Sequence, residues 1–106
     1  MNDSLMHESH ALEHNLKAIS TEKQTITSEL SEIVNALQEV TNTKDDVYKI
    51  IGQVMIKSEK NSVIKELEEK RKVLDLRLNA VEKQEKLLEK KALELREEIL
   101  KSSKKN

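Results

Sequence analysis

The chain has 106 residues, 37% of them charged and 1% aromatic, with no proline, cysteine, tryptophan or phenylalanine. That length suffices for one small domain, but the bulky residues that fill a globular core are missing, and Glu, Lys and Leu at helical spacing point to long helices or a coiled coil. The formal net charge of −1 gives no basic field to drive phosphate binding, which excludes nucleic acid as the main partner, and the lack of cysteine excludes disulfide and thiol chemistry.

No basic-then-apolar leader opens the chain and no apolar run approaches membrane-spanning length, so a soluble cytoplasmic protein with no membrane partner is expected. Asn2-Asp3-Ser4 matches a glycosylation sequon, and without a secretion signal it reads as coincidence.

The first predicted element is a helix over about residues 4–42. A strict alternation of four and three residues passes through Leu5, Ser9, Leu12, Leu16, Ile19, Lys23, Ile26, Leu30, Ile33, Leu37 and Val40. The d positions are all apolar, and the a positions are interrupted only by Ser9 and Lys23. His7, His10 and His14 cluster on this helix, and His10 with His14 has the i, i+4 spacing of a two-histidine metal clamp. The heptad register turns all three to solvent, no third ligand is fixed nearby, and the spacing within His7-Glu8-Ser9-His10 is wrong for a zinc-protease motif. A solvated surface without metal is expected.

A β-hairpin follows over about residues 46–58, with the chain's only glycine, Gly52, at its centre. A two-residue turn at Gly52-Gln53 sets Ile51 opposite Val54, Ile50 opposite Met55 and Lys49 opposite Ile56. One face then carries Val47, Ile51, Val54 and Ile56, and the other Tyr48, Ile50 and Met55. A lone hairpin cannot bury two apolar faces or pair two free edges, and the chain has no further strand to offer. The hairpin is therefore expected to be an assembly element, and the protein a subunit.

The second helix is predicted over about residues 61–101, with Asn61 as its N-cap. Its stripe runs through Ile64, Leu67, Arg71, Leu74, Leu78, Val81, Glu85, Leu88, Ala92, Leu95 and Ile99. Each helix should span roughly 60 Å at 1.5 Å per residue. Two matched stripes flanking a chain reversal predict a mainly α fold, a long antiparallel coiled-coil helical hairpin with one β-hairpin between the helices. A register with Val40 near Ile64 and Leu30 near Leu74 brings Lys23 and Glu85 within about one turn of each other. They either pair and fix the register or snorkel separately to water.

Met6, Leu87, Leu93 and Leu100 lie off the seam near the two chain ends. Flexible apolar side chains there suit loose contact with varied, greasy partners, while end packing or a lateral subunit contact would explain them equally well. The acidic residues read as helix-local partners of lysine, such as Glu66 with Lys70 and Glu82 with Lys86, and not as a catalytic pair. A single glycine excludes a glycine-rich phosphate loop. No enzyme activity and no cofactor are expected. The tail Lys101-Ser-Ser-Lys-Lys-Asn reads as a frayed basic end.

Helix, one apolar hairpin and helix in this length is the plan of a beta-type prefoldin subunit, a family whose alpha type carries two hairpins. The segment DVYKIIGQVMIKSEK from Asp46 resembles that family's Val-Tyr-Lys, glycine-centred turn and apolar strand ending in lysine. Glu66-Leu67-Glu68-Glu69-Lys70 and Arg77-Leu-Asn-Ala-Val-Glu-Lys-Gln-Glu-Lys86 are similar to its second-helix run. The resemblance, to archaeal members in particular, implies a hetero-hexamer of alpha-type subunits with further beta-type copies, whose hairpins join into a β-barrel platform. Val47, Tyr48, Ile50, Ile51, Val54, Met55 and Ile56 would build that platform. The coiled-coil tips, here Leu5, Met6, Leu12, Leu93, Ile99 and Leu100, would hold unfolded client proteins without ATP and pass them to a group II chaperonin. A coiled-coil scaffold, or a prefoldin-like adaptor in another complex, is the competing reading.

Overall fold

The computed structural model describes residues 2–104. It contains helix α1 (Asn2–Asn42), strands β1 (Val47–Ile51) and β2 (Val54–Ser58), and helix α2 (Lys60–Lys104). By packing, these fall into two units. One comprises Ile26–Arg77, and the other joins the part of α1 through Thr25 to the part of α2 from Leu78 onward.

In the Ile26–Arg77 unit, α1 is ended by a threonine without help from glycine or proline. Thr43 N donates to Glu39 O at 2.9 Å, and the Thr43 hydroxyl then accepts from Asp45 N at 3.2 Å, giving the chain a local alternative to further helix. The last turn of α1 holds no basic residue. Lys60, from α2, supplies the cation instead, donating to the Thr43 carbonyl at 2.9 Å, where the helix dipole is negative.

The hairpin has the expected register: Val47 opposes Ser58, Tyr48 Lys57, Lys49 Ile56, Ile50 Met55, and Ile51 Val54. Gly52 has φ 62°, and no other described residue has positive φ, so the turn is type II′ with glycine first. A Cβ on Gly52 would meet nothing within 4 Å. Backbone conformation, not space, selects glycine here, and an L-residue would cost about 1–2 kcal/mol.

The N-cap of α2 falls two residues earlier than the sequence suggests. Val63 N donates to Glu59 O at 3.1 Å, so Glu59 is the N-cap and Asn61 lies inside the first turn. Pairing with Val47 keeps Ser58 extended, and the single residue between strand and helix leaves no room for a later cap. At its other end α2 continues through Lys104, beyond the expected limit near 101, because neither glycine nor proline stands there to stop it. Lys105 and Asn106 of the tail lie outside the described residues.

The heptad stripe is the core of both units. Ile26 and Leu74 are buried in one, and Ile19, Val81 and Leu95 in the other. The remaining stripe positions are half-buried except Arg71, which is exposed and keeps its guanidinium in water. Each buried leucine, isoleucine or valine contributes about 1.5–3 kcal/mol.

Candidate functional site

Opposed strand residues share a face, so Ile51, Val54 and Ile56 stand on one side of the hairpin and Tyr48, Ile50 and Met55 on the other. All six are exposed, Ile50 at 71% and Met55 at 64%; even Ile51, near the turn, reaches 56%. Val47, at the base, is half-buried. The sheet has only these two strands, so each strand also has one unpaired edge. Covering the six side chains would stabilise an assembly by on the order of 10 kcal/mol gross per subunit.

An ion pair anchors this surface to α2. Lys49 Nζ donates to Glu66 Oε1 at 2.8 Å and lies 2.7 Å from Oε2. The hydrogen bond from Lys49, with its charge and that of Lys70, holds the Glu66 carboxyl below its ordinary range against the opposing effect of desolvation. Glu66 thus bonds across elements to Lys49, and Lys70, its expected helix-local partner, acts only through space. At the sheet margin Lys57 Nζ lies 3.6 Å from Asp46 Oδ2, placing charge where a bare edge would invite uncontrolled pairing.

In the other unit, Lys23 and Glu85 do pair. Lys23 Nζ donates to Glu85 Oε1 at 3.1 Å and lies 3.8 Å from Glu82 Oε2; Leu12 and Leu95 line one cleft nearer the helix ends, so α1 and α2 run antiparallel there. Glu82 accordingly faces Lys23, not the expected Lys86. The hydrogen bond to Glu85 comes first among the causes that raise the Lys23 pKa, followed by the charge of Glu85 and, more weakly, those of Glu82 and Glu89. The side chains are 37% and 20% exposed, so neither has escaped to bulk water.

Replacing both by leucine should raise the thermal midpoint, since an apolar seam outperforms a partly buried ion pair by about 1–4 kcal/mol. If the pair also fixes register, single cysteines placed along the double mutant's seam should cross-link in several registers. A single cross-link pattern would remove the register role.

The helix ends lie in this same unit. Met6, Leu93 and Leu100 are exposed, as is Leu87, while Leu5, Leu12 and Ile99 are half-buried seam residues. The six tip candidates are thus split between the seam and the accessible surface. His7, His10 and His14 are exposed, with His10 Nδ1 4.0 Å from Glu13 Oε2. No group of three or more potential metal ligands occurs among the described residues, and no described helix is long and apolar enough to cross a membrane.

The sequence pattern gave no sign of a groove in the Ile26–Arg77 unit, lined by Glu29, Glu32, Ile33, Glu66, Leu67, Glu69, Lys70, Val73 and Leu74. Val73, in the lining, is 57% exposed, and Leu76, one turn further along α2 and outside the lining, is 69% exposed. Both residues lie off the seam. An isolated apolar residue on a charged helix face has no periodic signature, so only the placement of α1 reveals the groove.

A family model described as "Prefoldin subunit" matches residues 5–106. The prefoldin subunit beta of Thermococcus gammatolerans is 45% identical over 53 residues, which are 50% of this chain and 45% of that protein. That of Saccharolobus islandicus is 42% identical over 53 residues, 50% of this chain and 42% of that protein. These alignments thus reach less than half the length of the relatives. The crystal structure of the prefoldin beta subunit from Thermococcus strain KS-1 superposes with a TM-score of 0.87 at 34% identity, covering 94% of this chain and 90% of that one. The beta2 subunit from the same strain shares the fold, with a TM-score of 0.76 at 19% identity, covering 84% of this chain and 97% of that one. A match over nearly the whole sequence, on two long helices joined by a single apolar hairpin, makes this chain a member of the prefoldin subunit family, similar to its beta subunits.

Proposed function

We propose that this chain is a chaperone subunit, a holdase that captures non-native polypeptides without ATP. Its hairpin joins those of alpha-type prefoldin subunits and further beta-type copies in a hetero-hexameric β-barrel platform. Its helix ends, through Leu5, Met6, Leu12, Leu93, Ile99 and Leu100, contact the client, which then passes to a group II chaperonin in the cytoplasm. The observation that carries this reading is the two-stranded sheet with apolar residues exposed on both faces. Such a surface is a liability in a monomer and an asset in a subunit. Many weak apolar contacts on several arms would supply avidity with no single essential residue.

The test is light scattering from a denatured client diluted into nucleotide-free buffer, with this chain and an alpha-type subunit from the same organism added together or separately. The mixture should suppress aggregation more than either subunit alone. A complex that forms but leaves aggregation unchanged would favour a scaffold or a specialised adaptor.

A further inference from the structure

The groove in the Ile26–Arg77 unit lies between the segments of α1 and α2 that belong to it. Ile33, Leu67, Val73 and Leu74 form an apolar floor of about 610 Å³, and Glu29, Glu32, Glu66 and Glu69 surround it, with Lys70 the only cation among the lining residues. Glu66 is neutralised locally by Lys49 at 2.7 Å. Glu29, Glu32 and Glu69 are exposed, and none of the three is in an ion pair. Val73, at 57% exposure, is the most accessible apolar residue named in the lining.

An apolar trough with a net acidic rim is poorly suited to an acidic ligand. Desolvating Glu29, Glu32 and Glu69 with Lys70 the only cation in the lining would oppose binding. A helix carrying apolar side chains at i, i+3, i+4 and i+7, flanked by lysine or arginine, meets both requirements at once. From this complementarity we infer that the groove is a second client-docking surface, selective for positively charged amphipathic segments. The inference rests on the chaperone reading and deepens it by assigning a class of client sequence to a surface that shares Glu66 with the hairpin anchor. Contact through Met6, Leu93 and Leu100 alone would be indifferent to client charge, and the cleft of the helix-end unit, lined by Glu8, Glu94 and Glu98 with Lys91, is told apart from the groove by trimming the ends. The groove would discriminate, favouring segments that are both greasy and basic.

The experiment uses the full chain and three fluorescent helical peptides: Leu/Lys amphipathic, its Leu/Glu twin, and a Ser/Lys peptide of equal charge to the first. Anisotropy should show the Leu/Lys peptide binding at least tenfold more tightly than the other two, and weakening as salt is raised. The triple variant Glu29→Gln, Glu32→Gln, Glu69→Gln should lose about tenfold in affinity for it, the sum of three surface pairs. Val73→Ser, at an exposed lining position off the seam, should weaken binding without altering helicity.

Equal binding of the Leu/Glu peptide overturns the inference, and so does Leu/Lys binding that survives both variants but falls when the helix ends are trimmed. Loss of the site through self-association at rising protein concentration would make the occupant a second copy and overturn it as well. Light scattering with the assembled complex separates this failure from failure of the holdase reading. Aggregation suppressed with no peptide preference sinks the groove alone, whereas no suppression sinks the chaperone reading itself.

Discussion

Ile51→Asp should abolish assembly with the alpha-type partner while leaving the isolated chain as helical as before. In the single chain Ile51 is 56% exposed, so a carboxylate there remains hydrated and costs the monomer little. Inside a closed platform the same carboxylate would lose its water with no cation arranged to receive it; Lys49, on the same face, is already bonded to Glu66. Burial of an unpaired charge costs several kcal/mol. In the proposed platform the penalty would recur in every beta-type copy. Sedimentation and circular dichroism of the mutant mixed with its partner would separate the two effects. A mutant that still enters the complex in normal stoichiometry would show that the platform is built elsewhere. Gln53→Asp, at the turn between the strands, is the matched control and should assemble.

Removal of residues 1–9 and 97–106 should have the reverse effect. The hairpin, the Lys49–Glu66 anchor and the buried stripe residues from Ile19 to Leu95 all survive, so assembly should be intact. Leu5, Met6, Ile99 and Leu100 are lost. Under the proposed function each would be a weak contact whose loss repeats on every arm, and avidity multiplies what single contacts only add. Aggregation suppression by the trimmed complex should fall several-fold at equal concentration. Undiminished suppression would move the client surface inward, and the acid-rimmed groove is then the first place to look.

The parts of the fold set by local rules were readable from the sequence. A single glycine between two short apolar runs specified the turn, and the turn specified every cross-strand pair, because side chains alternate with period two. The seam was equally legible, since heptads fix which residues face inward; it set Lys23 within a turn of Glu85 but left open whether the two pair. What escaped were interactions between elements that do not repeat. Glu66 had a plausible lysine four residues away in Lys70, and nothing in the pattern favoured Lys49 over it. Asn61 is a good N-cap by type, yet pairing in the hairpin leaves Glu59 as the only residue between strand and helix. Val73 was indistinguishable from ordinary surface residues until α1 supplied the opposite wall of the groove.

The single reversal at Gly52 also governs how such a chain can change length. Every seam partner is reached by counting outward from that turn, so one residue added to one helix misaligns all pairs between it and the chain ends. Seven residues added to both helices restore the alternation and shift no existing contact between the insertion and the turn. Reach is thus adjustable in whole repeats, taken two at a time, while the hairpin is held constant. Changes of other sizes break the alternation unless they fall past the last seam pair.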